Sequence, residues 1–316
     1  MAGGQERVLR RRIKSVESTK KITRAMELIA ASRIVKAQQR VAAARPYSEQ
    51  ITEVIRNLAA AGAGSGGHPL LAERETVSKV GFVVITADRG LAGGYNSGVI
   101  RAAERALKEQ QAQGRDYSLV LVGKKARDYF RFRGYRIDAS FTGMSDQPTY
   151  EDARTVAAEV MGKFEAGELD EVQLAYTQFL SVGTQRVIVR KFMPIEAKAI
   201  TEAPPEGPQA DYEFEPSPEG ILERLLPRYA EARLFAAMLD ATASEHAARQ
   251  RAMKSATDNA EELIKVLARS MNRARQESIT TEIMEIVGGA EALSQSGHSA
   301  TQIDILDDTI REESRT

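Results

Sequence analysis

The stretch Arg228–Val287, RYAEARLFAAMLDATASEHAARQRAMKSATDNAEELIKVLARSMNRARQESITTEIMEIV, runs for about 60 residues without glycine or proline. At about 1.5 Å of rise per residue it permits one unbroken helix roughly 90 Å long. A small domain is only about 30 Å across, so such a helix outgrows the body it starts from. Residues 5–45 also lack glycine and proline, enough for roughly 60 Å more. Two long helices at opposite ends of one chain, with a compact region between them, imply a shaft rather than an enzyme.

The N-terminal helix is amphipathic. Leu9, Ile13 and Val16 step by four and three, as do Ile22, Met26 and Ile29. Small residues follow at Ala30, Ala31, Ala37 and Ala42–Ala44. Pro46 is expected to kink or interrupt it, with helical spacing resuming at Ile51, Val54, Ile55 and Leu58. The C-terminal helix is expected to open on Ser217-Pro218-Glu219, an N-cap, an N1 proline and an early acid. Its apolar face is assigned to Leu234, Ala237, Met238, Ala241, Ala248, Ala252, Leu263, Val266, Leu267, Ser270, Met271 and Ala274. The small residues let a second helix approach closely, and the N-terminal helix running antiparallel is the natural partner.

Between the helices, residues 76–205 alternate strand and helix signals. Val80–Ile85 and Leu119–Val122 are apolar runs expected of strands covered on both faces. Helices are expected over Ser97–Gln113 and Lys124–Arg133, with a weaker strand at Arg136–Phe141. Thr149 can cap a further helix with Glu151 and Asp152 in its first turn. Val172–Thr177 and Gln185–Phe192 can form a hairpin across Leu180–Thr184. The fold class is therefore α/β: a long antiparallel two-helix coiled coil plus a small Rossmann-like domain with a mostly parallel sheet and an antiparallel edge. The expected divisions are 1–75, helix and linker; 76–205, α/β domain; 206–290, linker and C-terminal helix; and 291–316, an acidic tail. Ala61–Gly67 reads as a flexible linker, and a strand is possible at Tyr212–Phe214.

Composition narrows the chemistry. The 316 residues are 42% hydrophobic with no formal net charge, which disfavours a dedicated nucleic-acid binder. Residues 1–45 nevertheless hold twelve Lys and Arg against three acids, suiting an acidic protein partner. No cysteine is present, so thiolate chemistry and disulfides are excluded. Three dispersed histidines (His68, His246, His298) make a metal site or a His-based triad improbable. No run approaches 18 apolar residues, and the start MAGGQERVLRRR has no apolar core of a secretory signal. Cofactors are expected to be none.

One loop could hold a ligand. Asp88, Arg89, Gly90, Gly93, Gly94 and Asn96 lie in DRGLAGGYN, after strand Val80–Ile85 and before a helix, where open α/β sheets bind ligands. A phosphate could sit on that helix N-terminus, but no Walker lysine-hydroxyl pair exists anywhere. A tight turn or protein-docking loop outweighs a nucleotide site. The glycines of residues 62–67 match G-x-G-x-x-G only formally, with no strand before them and His68-Pro69 behind.

Arg12–Arg40 (RIKSVESTKKITRAMELIAASRIVKAQQR), Thr86–Ser97 (TADRGLAGGYNS) and Ala252–Ala290 resemble the γ subunit of F-type, proton-translocating ATP synthases. The specific part is Ile279, Thr280, Glu282, Glu285, Gly289 and Ala290, which match the family signature. The resemblance implies a non-catalytic central-stalk rotor: paired helices inside a ring of α and β subunits, the α/β domain against the ε subunit and the membrane c-ring. Proton-driven rotation would then cycle the β subunits through their states. It implies contact with β at Lys20, Lys21, Arg24 and Met26, and higher up at Arg275, Gln276 and Thr280. It places the protein at the cytoplasmic face of a bacterial plasma membrane, peripherally, with no nucleic acid and no span of its own. The basic set Lys265, Arg269, Arg273 and Arg275 suits an acidic lever on β, whose attraction is easily broken and remade.

The chain departs from the family's common pattern at Ala92, where cysteine is usual, and lacks the cysteine-bearing insert of chloroplast members. It continues past the signature for about 26 residues, expected to be disordered or weakly helical (Ile303, Leu306 and Ile310 are helically spaced), with braking of ATP hydrolysis as a hypothesis. Two other classes compete. A nucleotide-binding enzyme with a helical arm would need a phosphate loop, and an unrelated coiled-coil scaffold would leave the signature unexplained.

Overall fold

A computed structural model describes residues 2–60, 68–195 and 217–313. The elements are α1 (Ala2–Ala60), a 3-10 turn (Pro69–Leu71), β1 (Lys79–Ile85), α2 (Tyr95–Ala112), β2 (Asp116–Val122), α3 (Lys124–Phe132), β3 (Ala139–Phe141), α4 (Tyr150–Glu165), β4 (Glu171–Phe179), β5 (Gln185–Met193) and α5 (Pro218–Glu313). They form two compact units: residues 1–23 with 256–316, and residues 24–255. The expected linker at 61–67 and strand at 212–214 lie outside the described residues.

The smaller unit is a pair of helices. Lys20 Nζ donates to Glu261 Oε2 at 3.0 Å, and the Thr23 and Thr257 hydroxyls meet at 2.8 Å. Partner numbers fall on α5 as they rise on α1, so the helices run antiparallel. On α5 within this unit a regular set of positions is buried or half-buried: Thr257, Ala260, Ile264, Leu267, Met271, Ala274 and Ser278. They step alternately by four and three, the 3.5-residue repeat of a left-handed coiled coil. This corrects the expected face. Leu267, Met271 and Ala274 are on it, but Leu263 (42% exposed), Val266 (43%) and Ser270 are not.

The same repeat runs along α1. Leu9, Ile13, Val16, Lys20, Thr23, Glu27, Ala30, Ile34, Ala37, Val41, Ala44, Ser48, Ile51, Ile55 and Leu58 alternate steps of four and three, and all are buried or half-buried. Continuing from Leu9, Ile13 and Val16, it lands on Thr23, Glu27 and Ala30. Ile22 and Ile29, expected inside, are therefore 59% and 55% exposed. Pro46 does not interrupt α1. It sits on the exposed face, where the carbonyl it leaves unpaired can bond water. Likewise α5 shows no break at the expected tail boundary of 290/291 and stays helical to Glu313.

The larger unit is built on a five-stranded sheet ordered β3-β2-β1-β4-β5. The first four strands are parallel and β5 is antiparallel to β4, as the hairpin signal predicts. Alternation along β1 fixes the layers. Val80, Phe82 and Val84 face α2 and α3, packing with Val99, Leu107 and Phe130. Val83 and Ile85 face the other way, into a larger core with Val156, Val160 and Phe164 of α4, Ile51 and Ile55 of α1, and Leu226 and Leu234 of α5. Each such aliphatic contributes about 1.5–3 kcal/mol when fully buried. Both predicted caps form. Thr149 and Asp152 make a reciprocal capping box, and Ser217 Oγ accepts from Gly220 N at 3.2 Å.

Gly123, between β2 and α3, has φ +99°, and a Cβ there would lie 2.2 Å from the Thr86 carbonyl oxygen. Both the backbone conformation and the space demand glycine. Gly123→Ala is expected to destabilise the α/β unit by at least about 3 kcal/mol. Urea unfolding followed by circular dichroism checks this, and an unchanged midpoint would contradict it.

Candidate functional site

Two places in the chain carry the residues singled out from sequence. The first is the paired-helix unit and its outer surface. Lys20 is bonded to Glu261, whose carboxyl is held below its ordinary range first by that hydrogen bond and then by the Lys20 charge. Lys21 is exposed, as are Arg275, Gln276 and Thr280; the Thr280 hydroxyl bonds back to the Gln276 carbonyl at 3.0 Å. Beyond Ala274 the described helix has no buried side chain. The signature residues Ile279, Thr280, Glu282, Glu285, Gly289 and Ala290 are all exposed. Ile283, Met284, Ile286 and Val287 join Ile279 as large apolar side chains, 47% to 71% exposed. Contiguous apolar surface of this kind marks an interaction site.

The second place is the β1–α2 connection, in the larger unit. Sheet geometry puts Asp88 at the carboxyl end of β1, and its side chain is fully engaged. Oδ1 accepts from Lys124 N at 3.0 Å, and Oδ2 accepts from Gly143 N at 2.8 Å and Ser145 N at 3.2 Å. Asn96 closes the loop on itself, accepting from Ala87 N and donating to the Arg89 carbonyl. Gly94 caps α2, and a Cβ on Gly93 (φ +55°) would point at Ala252 Cβ, 3.6 Å away. Leu91, beside these glycines, holds φ +61° with its side chain 63% exposed. The loop is thus a bracket that seats α5 against the sheet. A phosphate on α2 would have to enter beside α5, with only Arg251 of that helix for charge, and Arg251 is already bonded to the Val182 carbonyl and Gln185.

A polar cluster that the sequence did not reveal, buried at Glu245, His246 and Arg249 and half-buried at Arg33 and Asp146, joins this bracket to both helices. Arg33 of α1 donates to Asp146 Oδ2 at 2.8 Å. On α5, Arg249 Nη2 donates to Glu245 Oε1 at 2.6 Å and to the Gly90 carbonyl at 3.2 Å, while Nη1 lies 3.3 Å from His246 Nδ1. Met26 and Ile29 of α1 border the same cavity, about 300 Å³, with Arg33, Arg89, His246 and Arg249. Arg24, one turn earlier, pairs with Glu27 at 2.9 Å. The one sequence signal was the i,i+4 pair Glu245–Arg249 inside an alanine run, a spacing too common to single out.

Asp146, Glu245 and His246 offer ligand atoms within 4.8 Å of one another. Two guanidinium groups already balance the two carboxylates, and the imidazole is engaged by Arg249 and the Asp146 backbone. A divalent cation would have to enter beside guanidinium groups and compete with Arg33 for Asp146 and with Arg249 for Glu245. Burial pushes Glu245 up to about 7 against the partial opposition of Arg249. Burial, then the Arg249 charge, pushes His246 down to about 4. At Asp146 burial raises the carboxyl, but Arg33 outweighs it and the net direction is down.

These shifts carry opposite signs of pH dependence. The stability linked to neutral His246 is complete above its ordinary 6.5 and is lost as pH falls toward about 4. That linked to protonated Glu245 is complete below 4.5 and is lost as pH rises through about 7. His246→Gln keeps a polar group but removes the first dependence. The variant is expected to lose on the order of 1–2 kcal/mol less than the unaltered chain between pH 7 and pH 5. Urea midpoints of the isolated chain at those two pH values check it; equal losses would contradict it.

Comparisons with known proteins agree with this architecture. A family model described as ATP synthase matches residues 5–293. A protein named ATP synthase gamma chain from Frankia casuarinae is 53% identical over 295 residues, covering 92% of this chain and 98% of its own length. One of the same name from Saccharopolyspora erythraea is 48% identical over 307 residues, covering 93% and 99%. Among solved structures, a chain of the Euglena gracilis mitochondrial ATP synthase (OSCP/F1/c-ring, rotational state 3) aligns with TM-score 0.65 at 19% identity. That alignment covers 92% of this chain and 95% of that one, a likeness of fold. The family match, reaching through both long helices and the exposed Ile279–Ala290 stretch, shows that this chain belongs to the ATP synthase gamma chain family.

Proposed function

We propose that this chain is the rotor of its complex, coupling proton-driven turning of a membrane c-ring to the conformational cycle of catalytic β subunits, and is itself non-catalytic. The observation that carries this is the exposed apolar band of Ile279, Ile283, Met284, Ile286 and Val287 on a helix that nothing among the described residues covers. Such a band needs surrounding partners, and the α and β subunits of a catalytic ring would supply them. Lys20, Lys21, Arg24 and Met26, with Arg275, Gln276 and Thr280 above, would face β. These contacts are polar or weakly apolar, so they can break and reform without a deep energy well.

The α/β domain, proposed as 76–205, would meet the ε subunit and the c-ring, with 1–75 and 206–290 supplying the stalk. The complex would hold the chain at the cytoplasmic face of a bacterial plasma membrane. No helix among the described residues is long and apolar enough to cross a membrane. Catalysis by β rather than by this chain is supported by the loop at Asp88–Asn96, whose Asp88 and Asn96 side chains are spent on its own fold. Residues 291–316 would extend past the ring as a brake on hydrolysis.

The test separates folding from assembly. Ile283→Asp with Ile286→Asp changes only exposed positions, so the isolated chain should keep its unfolding midpoint to within about 0.5 kcal/mol. Reconstitution with α and β should weaken by about tenfold or more, because two charges would be buried in an apolar sleeve. Undiminished assembly, or tight ATP binding by the isolated chain in equilibrium dialysis, would contradict the proposal.

A further inference from the structure

After Leu234, Met238 and Leu239 the buried face of α5 narrows: from Ala241 to Ala247 its buried apolar side chains are alanines, with Ala241, Ala243 and Ala247 each 2% exposed or less. Methyl groups permit close approach but make shallow ridges, and apolar contact has no preferred direction. A helix bedded this way resists separation better than it resists rolling about its own axis. Hydrogen bonds are directional and do resist rolling. Several fall within two turns of α5: Thr242 Oγ1, shared with its own helix's Met238 carbonyl, donates to the Ser145 carbonyl at 2.9 Å, Ser244 Oγ to the Thr177 carbonyl at 3.2 Å, and Arg249 to the Gly90 carbonyl; Tyr150 Oη to Glu231 Oε2 and Arg251 to the Val182 carbonyl flank them.

Ser145, Thr177 and Gly90 lie on three different parts of the α/β domain: the β3–α4 connection, β4 and the β1–α2 bracket. Arg33 ties α1 to the first of these through Asp146. The anchorage is stiffened from behind, because Asp88 holds the β1–α2 loop, the β3–α4 connection and the start of α3 together.

Building on the rotor function above, we propose that Arg33, Asp146, Thr242 and Arg249 form a torque pin. They are positioning residues that stop helical segments 24–60 and 218–255 from rolling in the alanine bed when the α/β domain is driven round. Their substitution should loosen coupling rather than catalysis, because none of them is placed against β. Charge-assisted bonds suit the role, since they are about twice as strong as neutral ones and keep their geometry under load.

The experiment uses the complete complex in sealed vesicles, with ATP hydrolysis and ATP-driven proton uptake measured together. Arg33→Gln and Asp146→Asn alter side chains that are 40% and 30% exposed, so the chain should fold and assemble. Thr242→Val is nearly isosteric and removes one pin in the core. Hydrolysis is expected to stay within about twofold of the unaltered complex, while protons moved per ATP fall by about two- to tenfold, the range that loss of one neutral or partly exposed bond carries. Exchanging the pair (Arg33→Asp with Asp146→Arg) should recover part of the ratio. An unchanged ratio in all three single variants would overturn the pin, as would a failure of all three to assemble, which would make the contacts constructional. If the unaltered complex hydrolyses ATP without moving protons, the rotor function itself fails, a result distinct from either.

Discussion

A helix buries only what its sequence period brings to one face, and α1 holds a 3.5-residue period from Leu9 to Leu58. Nearly everything else follows from that constraint. The period makes a seam narrow enough for one partner helix and leaves the remaining circumference exposed. Ile22, Leu28, Ile29 and Val35 are therefore outside although they are large and apolar. A broader helical face would have drawn them inward against more of the same chain. Here they stay available, together with the α5 band beyond Ala274, for subunits that this chain does not contain.

The seam is also unusually polar for a coiled coil. Lys20, Thr23 and Glu27 occupy consecutive seam positions, and Thr23 meets Thr257 while Lys20 reaches Glu261. Such pairs stabilise less than leucine would, but they tolerate only one register, because a slip would bury each group without its partner. In the larger unit the cluster of Arg33, Asp146, Glu245 and Arg249 combines the same features: small apolar residues for close approach, and a few directional contacts for alignment. Apolar burial supplies the stability of the α/β unit, and polar contacts set where the helices sit on it.

Much of this was legible in the amino-acid order. The absence of glycine and proline gave both long helices, strand alternation gave the parallel core, and Thr149 and Ser217 marked their helix starts. What failed was phase. Ile22, Met26 and Ile29 fit a local helical step as well as Leu9, Ile13 and Val16 do, and only the unbroken repeat shows that the seam passes through Thr23 and Glu27. Pro46 misled because a proline's cost depends on which face it occupies, and that follows from the same phase. The bracket at Asp88–Asn96 could be placed but not its partners. Arg33, Asp146 and Arg249 are far apart in sequence, and nothing local ties them to one another.

If the chain is the rotor proposed above, it turns within a ring of other subunits. The chain has no cysteine, so Phe132→Cys, at a side chain 88% exposed on α3, offers one attachment point for a bead. With the ring immobilised and ATP supplied, the bead should turn persistently in one direction. A bead that only fluctuates about a fixed angle, while the same complexes hydrolyse ATP, would contradict the account.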